Sequence, residues 1–400
     1  MNLSRRVQKL EPSVTLKIAA LAKEIRGRGI DVIDFGVGEP DFPTPPHIVD
    51  AAVAALRAGD TRYTAVGGTP ELKAAISRSI LREYGLQYSP REITASCGAK
   101  HTLFNFFLAL LDDGDEVIVP APFWVSYPEQ VQVAGGQPVI VPTREEDGFR
   151  LQPEALEKAI GPRTRAFVLN SPCNPTGAVY RREDLEGLAS VLRSAPHVLT
   201  VSDDIYQKFT YDSERFVAML SVAPDLRNRV VIVNGVSKTY AMTGWRIGYA
   251  AGPEPLISAM ENLQSQSTSN PTSFAQKAAA VALDGPQECV ADMVREFSER
   301  RDHLVKALNG LPGVRCSTPG GAFYVFPNVS ALYGASNEGG KISGSVSLAE
   351  YLLQEGRVAV VPGGPFGSDQ HIRLCYAASL ESIREGTRRI WAALSRLTRP

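Results

Sequence analysis

Residues 233–249 read VNGVSKTYAMTGWRIGY and contain a single lysine, Lys238, in the small polar loop that follows the apolar run 230–233. Such a run is typical of a buried strand, and a lysine at the end of a strand in an α/β sheet can condense with an aldehyde when burial and nearby cations keep its amine partly unprotonated. Ser237 and Arg246 offer donors for a phosphate. A solvated loop lysine and a surface ion pair are the plainer alternative. An aldehyde and a phosphate are the two groups by which a protein holds pyridoxal 5'-phosphate, so the segment predicts a site for that cofactor.

Composition and charge narrow the class of protein. The chain has 400 residues, 44% hydrophobic and 21% charged, and a net charge of −1. These values are typical of a globular protein of two or three domains and give no electrostatic case for binding nucleic acid or an anionic membrane. The five cysteines are scattered and the five histidines are far apart, so we expect reduced thiols in the cytoplasm and no metal site. We expect neither a secretory signal nor a membrane span, because no apolar run approaches about 20 residues.

Short apolar runs alternate with helical patterns through the middle of the chain, which predicts an α/β fold with a mainly parallel sheet between helices. The predicted strands there are 116–119, 138–141, 166–170, 198–203 and 230–233, and the predicted helices are 98–111, 153–160, 182–194 and 276–283. A charged amphipathic helix at 297–308 is followed by strand-like runs at 322–326, 358–361 and 371–375 and a last helix at 379–394. We therefore predict a large domain, 44–296, and a smaller α+β domain formed by 1–43 and 297–400.

A carboxylate and a phenol follow one of the predicted strands. The segment SDDIY, 202–206, places Asp203 at the strand's end and Tyr206 three residues later. Pyridoxal phosphate works as an electron sink only while its pyridine nitrogen is protonated, and a carboxylate beside that nitrogen favours the charged form. Asp203 is the candidate for this role, and Tyr206 is a candidate donor to the ring oxygen. A solvated acid after a strand remains the alternative.

An asparagine is held in a rigid segment after another predicted strand. Residues 170–177 read NSPCNPTG, and the two prolines and the glycine favour a tight turn without helix. Asn174 can therefore donate to the same ring oxygen from a fixed position, and the peptide bond before Pro175 is a candidate for the cis form. A purely structural turn is the alternative.

Three further signals are weaker. SCGAK, 96–100, opens an apolar helix, where small residues let backbone N–H groups approach a phosphate. Trp124 follows a predicted strand and can stack on a pyridine ring, although a tryptophan in the core is the more usual case. Arg373, beside the loop VVPGG at 360–364, can grip a substrate carboxylate in a bidentate pair, or form a surface ion pair.

Together these segments resemble the class I aminotransferases of fold type I from about residue 4 to residue 394. The motifs that carry the resemblance are GEPDF (38–42), RYTAVGG (62–68), PFWVSYPE (122–129), NSPCNPTGAVY (170–180), SDDIY (202–206), SKTYAMTGWRIGY (237–249), GAFY (321–324) and IRLCYAAS (372–379). The chain is most similar to the bacterial and plant aspartate or aspartate/prephenate aminotransferases. The resemblance implies a large domain that binds pyridoxal 5'-phosphate and a smaller α+β domain.

The resemblance also implies residue roles. Lys238 would condense with the cofactor's aldehyde and, once released by the substrate amine, carry the proton between the substrate α-carbon and the aldehyde carbon. The other implied cofactor contacts are Ser237, Arg246, Gly98, Ala99 and Lys100 at the phosphate, Asp203 at the pyridine nitrogen, Asn174 and Tyr206 at the ring oxygen, and Trp124 on the ring face. Tyr63 would reach the phosphate from a neighbouring subunit, which implies a homodimer with shared sites.

The implied substrate contacts point to amino acids and 2-oxo acids. Arg373 would take the α-carboxylate, with assistance from Asn174, Trp124 and the Gly38 backbone. In the similar subgroup a lysine at the phosphate loop meets the distal carboxylate of dicarboxylic substrates, and Lys100 stands in that position. One ammonium fixes a carboxylate less rigidly than a bidentate arginine, so this pocket should be permissive.

Two residues near the N-terminus bear on prephenate as a substrate. Thr15 stands where a threonine is associated with accepting prephenate in the similar subgroup. Glu11 stands where relatives usually carry Lys or Arg, and it would repel acidic substrates if its side chain faced the entrance.

The leading hypothesis is a ping-pong transfer of the amino group of L-aspartate or L-glutamate to a 2-oxo acid such as 2-oxoglutarate. Aromatic or neutral amino acids are alternative donors, and a pyridoxal-dependent lyase of the same fold would use the same residues. A non-enzymatic regulator built on this fold would need a DNA-binding module, and only some 40 residues precede the predicted large domain, with no basic patch to replace one.

Overall fold

The computed structural model describes residues 4–8, 14–337 and 340–398. The strands are β1 (Ile33–Asp34), β2 (Ile93–Ser96), β3 (Glu116–Ala121), β4 (Gln137–Pro142), β5 (Thr164–Asn170), β6 (Leu199–Asp203), β7 (Val230–Gly235), β8 (Gly248–Ala251), β9 (Tyr324–Val325), β10 (Ser336–Asn337), β11 (Gly340–Lys341), β12 (Val358–Ala359), β13 (Val361–Pro362) and β14 (Ile372–Cys375). The α-helices are α1 (Arg5–Gln8), α2 (Val14–Gly27), α3 (Pro46–Arg57), α4 (Pro70–Tyr84), α5 (Ala99–Leu110), α6 (Ser126–Val133), α7 (Pro153–Ala159), α8 (Arg182–Ser194), α9 (Met219–Val222), α10 (Glu254–Ser265), α11 (Ser273–Asp284), α12 (Glu288–Asn309), α13 (Ser345–Glu355) and α14 (Leu380–Leu394). Within these ranges, none of the helices is both long and apolar enough to cross a membrane.

Seven strands form a central sheet in the order β2-β8-β7-β6-β5-β3-β4. The strands from β7 to β4 pair in parallel, whereas β8 runs antiparallel to both of its neighbours. The register pairs Asn170 with Asp203 and Asp203 with Val233, so the carboxyl ends of β5, β6 and β7 lie side by side. The polar segments that follow these three strands therefore meet at one edge of the sheet.

Alternate residues of the central strands face opposite layers of helices. In β7, Val231 and Val233 belong to a core built with residues of α5, α6 and α10, whereas Ile232 belongs to a larger core that includes residues of α4, α8 and α11. This alternation follows from the two-residue period of a strand. Because both faces are covered, β7 is buried along its whole length, which explains why it begins with the continuous apolar run 230–233.

The C-terminal part contains a second, antiparallel sheet in the order β13-β14-β9, with α12, α13 and α14 packed nearby. The N-terminal segment joins this part through β1, which pairs in parallel with β12. Arg373 lies in β14, opposite Val361 of β13, and β9 carries Tyr324 opposite Cys375. This sheet therefore presents two side chains, Arg373 and Tyr324, that reappear in the candidate site.

The predicted α/β fold with a mainly parallel sheet is confirmed, and three details of the prediction are wrong. The run 358–361 is two strands in different sheets, because β12 pairs with β1 while β13 pairs with β14. The helix predicted at 297–308 begins at Glu288, so the predicted boundary between 296 and 297 falls inside the continuous helix α12. The strand predicted at 322–326 is only the two residues of β9. The division into a large and a small domain stays a prediction.

Candidate active site

A cavity of about 1150 Å³ opens where β5 and β6 end and extends to the β13-β14 sheet. Of the residues predicted from the sequence, those that line it are Gly38, Ala99, Lys100, Trp124, Asn174, Asp203, Tyr206, Ser237, Lys238, Arg246 and Arg373. These residues come from segments far apart in the chain. The fold thus brings the predicted lysine, carboxylate and arginines to a single space, as expected for strand ends of an open α/β sheet.

Lys238 follows β7 and points into the cavity. Its Nζ donates a hydrogen bond of 2.6 Å to the Gly38 carbonyl. The pKa of Lys238 is lowered to about 8, mainly by burial; Cys375 and Glu39 oppose the shift, and the Arg373 and Arg246 guanidinium groups add to it. A larger fraction of this amine is therefore unprotonated near neutral pH than for an ordinary lysine, as a nucleophile or a general base requires.

Asp203 is a buried carboxylate at the end of β6. The Tyr127 hydroxyl donates to Oδ2 at 2.6 Å, and the Ile205 amide donates to Oδ1 at 3.3 Å. Burial raises the pKa of Asp203 to about 6, against the effect of these two hydrogen bonds and of the nearby Lys238. A cationic ring nitrogen beside this group would favour its charged form, so the position suits a carboxylate that pairs with a pyridinium.

Arg373 is buried against Asn174. Its Nη1 donates to Asn174 Oδ1 at 3.0 Å and its Nη2 donates to the Gly36 carbonyl at 2.7 Å. The guanidinium also lies 4.6 Å from the Tyr324 ring centroid and 5.1 Å from that of Phe366. Its Nε is buried with no hydrogen-bond partner among the residues that the structure describes. A buried guanidinium that lines the cavity fits a carboxylate ligand.

The segment that holds Asn174 contains two cis peptide bonds and is tied to the strand ends by hydrogen bonds. The peptide bond between Asn174 and Pro175 is cis, which confirms the hypothesis drawn from the sequence, and the bond between Ser171 and Pro172 is cis as well. The Asn174 amide donates to Asn170 Oδ1 at 3.0 Å, and Asn170 Nδ2 donates to the Asp203 carbonyl at 2.8 Å. The ends of β5 and β6 are thereby tied to the side chain that meets Arg373.

Arg246 and the start of α5 form one side of the cavity. Arg246 Nη2 donates to the Cys97 carbonyl at 3.1 Å, and Nη1 donates to the Thr243 carbonyl at 2.8 Å. Gly98 precedes α5 with φ of +91°, and a Cβ at this residue would stand 2.4 Å from Arg246 Nη2, so only glycine fits. The guanidinium therefore lies against the N-terminus of a 12-residue helix, where backbone N–H groups and the helix dipole favour an anion such as phosphate.

Lys100 and Trp124 stand together at the mouth of the cavity. The Lys100 ammonium lies 4.9 Å from the Trp124 ring centroid, and that ring packs edge-on against Tyr127. Loss of water around the ammonium lowers the pKa of Lys100, and the nearby Arg246 lowers it further. A cation held over an aromatic face keeps an open side for a carboxylate.

Two of the predicted residues that the structure describes, Tyr63 and Gly98, are not among those that line the cavity. Tyr63 is 91% exposed. Thr15 lies in α2, but its side chain is outside the described part of the structure, as is the whole of Glu11. Gly98 stands just behind the cavity wall, under Arg246. Among the described residues, no group of three or more His, Cys, Asp or Glu side chains is arranged to hold a metal ion.

Two tyrosines of the site were not predicted from the sequence. Tyr127 binds Asp203, as described above, and Tyr324 lies with its hydroxyl 2.8 Å from that of Tyr206. Both belong to motifs that carry the family resemblance, PFWVSYPE and GAFY. Their position within those motifs could have indicated that they belong to the site, but it did not indicate which side chain each one contacts.

The sequence model of the family described as aminotransferase class I and II matches residues 30–390. The chain belongs to the class I and II aminotransferases. This aminotransferase is 49% identical over 397 residues to the aspartate/prephenate aminotransferase of Nitrosomonas europaea, covering 99% of this chain and 100% of that protein. It is also 49% identical to the aspartate aminotransferase of Geobacillus stearothermophilus, covering 98% of each chain.

Solved structures agree with this assignment. The crystal structure of the aspartate aminotransferase from Rhizobium meliloti matches this aminotransferase with a TM-score of 0.97 at 46% identity, covering 100% of both chains. The aspartate aminotransferase from Thermus thermophilus with maleate matches with a TM-score of 0.91 at 44% identity, covering 98% of this chain and 100% of that one. The predicted family, the fold and the enzyme class are therefore confirmed.

Proposed function

We propose that this aminotransferase binds pyridoxal 5'-phosphate in the cavity and transfers the amino group of L-aspartate or L-glutamate to a 2-oxo acid such as 2-oxoglutarate by a ping-pong mechanism. The observation that carries the proposal is the placement of Lys238, with its lowered pKa, in the same cavity as the buried Asp203 and Arg373. The names of the relatives, aspartate and aspartate/prephenate aminotransferases, support the choice of donor.

The residues present fit this cofactor. Arg246, Ser237 and the backbone at Gly98, Ala99 and Lys100 would hold its phosphate, Asp203 its ring nitrogen, Tyr206 and Asn174 its ring oxygen, and Trp124 its ring face. When bound, pyridoxal phosphate supplies an aldehyde that condenses with amines and a pyridinium ring that withdraws electrons from the substrate α-carbon. The buried carboxylate of Asp203 would keep that ring cationic, because it would favour a proton on the nitrogen.

Proton transfer falls to Lys238. Its amine, once free, takes the proton from the substrate α-carbon and delivers it to the aldehyde carbon, a general-base and general-acid role that suits a pKa of about 8. The Gly38 carbonyl, 2.6 Å from Nζ, orients the amine while it carries the proton. The amine is half-buried, which keeps bulk water from competing for the same proton.

The substrate carboxylates are assigned to two cations. Arg373, which lines the cavity and contacts Asn174, binds the α-carboxylate common to all amino acids and 2-oxo acids. Trp124 and the Gly38 backbone border the same space. Lys100 binds the distal carboxylate of a dicarboxylic substrate from the mouth of the cavity.

Prephenate is a second acceptor that the relatives favour. The similar proteins from Nitrosomonas europaea and Cereibacter sphaeroides are named aspartate/prephenate aminotransferases, at 49% and 50% identity. Thr15 supports this acceptor by its position in the sequence, whereas the negative charge of Glu11 argues against a second acidic substrate group at the entrance.

The proposal includes a homodimer whose two subunits share their active sites. It also places the enzyme in the cytoplasm. Tyr63, 91% exposed in the single chain, is the residue that would complete the phosphate site of a neighbouring subunit. The five cysteines are unpaired, which fits a reducing compartment.

The visible absorption spectrum tests the whole proposal. Purified protein loaded with pyridoxal 5'-phosphate is expected to show the band of the lysine-bound aldehyde, and L-aspartate alone should replace it by the band of the aminated cofactor. Loss of the first band without a 2-oxo acid present establishes the half-reaction that ping-pong transfer requires. An unchanged band would remove aspartate as a donor, and aromatic and neutral amino acids would then be tried as the alternative donors.

Replacing Lys100 by methionine is expected to raise KM for L-aspartate about 10- to 100-fold, because a hydrogen bond to a charged group contributes about 1.5–3 kcal/mol. KM for L-phenylalanine should change little, since that substrate has no distal carboxylate. Steady-state kinetics with both donors measure the difference, and Lys158→Met, at an exposed lysine of α7, is the matched control. Equal increases for the two donors would contradict the assignment of Lys100.

A further inference from the structure

The Tyr324 hydroxyl lies between two groups of the site. It is 2.8 Å from the Tyr206 hydroxyl, where either oxygen can be the donor, and 3.5 Å from the Gly38 carbonyl, to which it can only donate. Tyr324 is fully buried, and its ring is held under the Arg373 guanidinium. The hydroxyl has one hydrogen and two acceptors, so it cannot satisfy both at once.

Lys238 competes for one of those acceptors. Its Nζ donates to the Gly38 carbonyl at 2.6 Å, a much better distance than the 3.5 Å from Tyr324. While Lys238 occupies the carbonyl, the Tyr324 hydrogen goes to Tyr206, and Tyr206 donates its own hydrogen into the cavity. When Lys238 leaves the carbonyl, the Tyr324 hydrogen turns to Gly38, and the Tyr324 oxygen then accepts from Tyr206 instead.

We propose that Tyr324 is a positioning residue that couples the place of Lys238 to the hydrogen bond that Tyr206 gives the cofactor's ring oxygen. The inference rests on the proposed function, since it assigns Tyr206 to that oxygen. It goes beyond that function because it makes the hydrogen bond that Tyr206 donates to the ring oxygen depend on the position of Lys238. The lysine is either held at the cofactor's aldehyde or free to donate to the Gly38 carbonyl. Donation from Tyr206 to the ring oxygen is strongest after the substrate has released Lys238, because the free lysine then donates to the Gly38 carbonyl while it acts on the α-carbon.

Both hydroxyls keep their hydrogens over the working pH range. Burial raises the pKa of Tyr206 well above its ordinary value, and burial also raises the pKa of Tyr324, although the nearby Arg373 opposes this. The other titratable groups that face the pair are Asp203, Cys375 and Lys238. The pair therefore changes the direction of its hydrogen bonds without losing a proton.

Tyr324→Phe tests the coupling in the loaded enzyme without substrate. In that state Lys238 is held at the cofactor's aldehyde and is away from the Gly38 carbonyl, so the Tyr324 oxygen competes with the ring oxygen for the Tyr206 hydrogen. Removing the competitor should strengthen donation to the ring oxygen and stabilise its negative charge. The pH midpoint of the visible band of the bound cofactor is then expected to fall by about half a unit, the size of one modest hydrogen bond.

A double-mutant cycle separates this role from a merely structural one. In the Tyr206→Phe background, Tyr324→Phe is expected to shift the midpoint no further, because Tyr324 acts through Tyr206. Tyr376→Phe is the matched control, since it removes another buried hydroxyl, one that donates to the Ala322 carbonyl at 3.0 Å, and it should leave the midpoint unchanged. A rise in the midpoint, an equal shift without Tyr206, or an equal shift in the control would overturn the inference.

Gly38→Ala provides a second variant. A Cβ at this residue would stand 2.7 Å from the Tyr324 hydroxyl and would displace it from its position, so the midpoint should fall as in Tyr324→Phe. If the wild-type enzyme shows a normal band but the pH midpoint shifts in neither variant, the inference is overturned and the proposed function stands. A wild-type protein that shows no such band after incubation with pyridoxal 5'-phosphate overturns the proposed function, and the inference with it.

Discussion

The Lys238→Ala variant is expected to lose at least about four orders of magnitude in kcat, since general acid–base catalysis alone contributes about 10²- to 10⁴-fold and the covalent role of the amine is lost as well. The cofactor should still bind noncovalently, because Asp203, Ser237 and Arg246 are unchanged. Single-turnover measurements with L-aspartate, combined with the visible spectrum, separate the loss of proton transfer from a loss of cofactor.

Small primary amines provide the control for this variant. An added amine can enter the space left by the side chain and remove the α-proton, so partial recovery that depends on its concentration is expected. Lys208→Ala, which removes a half-buried lysine bound to Glu83 outside the cavity lining, should retain activity. Undiminished turnover by Lys238→Ala without added amines would show that another group is the base.

The middle of the central sheet was predictable because β5, β6 and β7 are largely buried. The predicted runs 166–170, 198–203 and 230–233 correspond to β5, β6 and β7, which are rich in apolar residues and end in polar or glycine residues. The parallel register then places those ends together, as the pairing of Asn170 with Asp203 shows. Residues at strand ends, such as Asp203 and Lys238, could therefore be found without knowledge of the tertiary structure.

The elements that the sequence failed to predict lack such a signal. Strands β2 and β8 read ITAS and GYAA, four residues each of small or mixed character, and they form the antiparallel side of the sheet. Residues 358–361 look like one strand because the apolar run is continuous, yet pairing with β1 and with β14 divides it. Tertiary pairing, not local propensity, decides these cases.

Tyr127 and Tyr324 were not predicted as site residues for the same reason, because tertiary contacts decide their roles. Tyr127 meets Asp203 from 76 residues away in the chain, and Tyr324 meets Tyr206 from 118 residues away. A tyrosine in an apolar segment is more often ordinary core, and the hydrogen bond that gives it a role is visible only in the folded chain. Sequence patterns therefore identify the groups that touch ligands more readily than the groups that hold them in place.

Arg373→Lys is expected to reduce kcat/KM by about 10²- to 10³-fold, because the loss of one partner in a buried, hydrogen-bonded charge pair costs about 2–5 kcal/mol. A lysine keeps the charge, but it cannot donate to Asn174 Oδ1 and the Gly36 carbonyl while offering a planar fork to a carboxylate. Steady-state kinetics with a series of amino acids and 2-oxo acids measure the effect.

The pattern across substrates decides the assignment of Arg373. Every amino acid and 2-oxo acid carries the α-carboxylate, so Arg373→Lys should weaken all substrates by similar factors, whereas Lys100→Met should weaken only those with a distal carboxylate. Arg315→Lys, at an arginine that pairs with Glu145 outside the cavity lining, should leave kinetics unchanged. If Arg373→Lys affected aspartate but not phenylalanine, the two cations would have to exchange roles, with Arg373 reading the distal group and Lys100 the α-carboxylate.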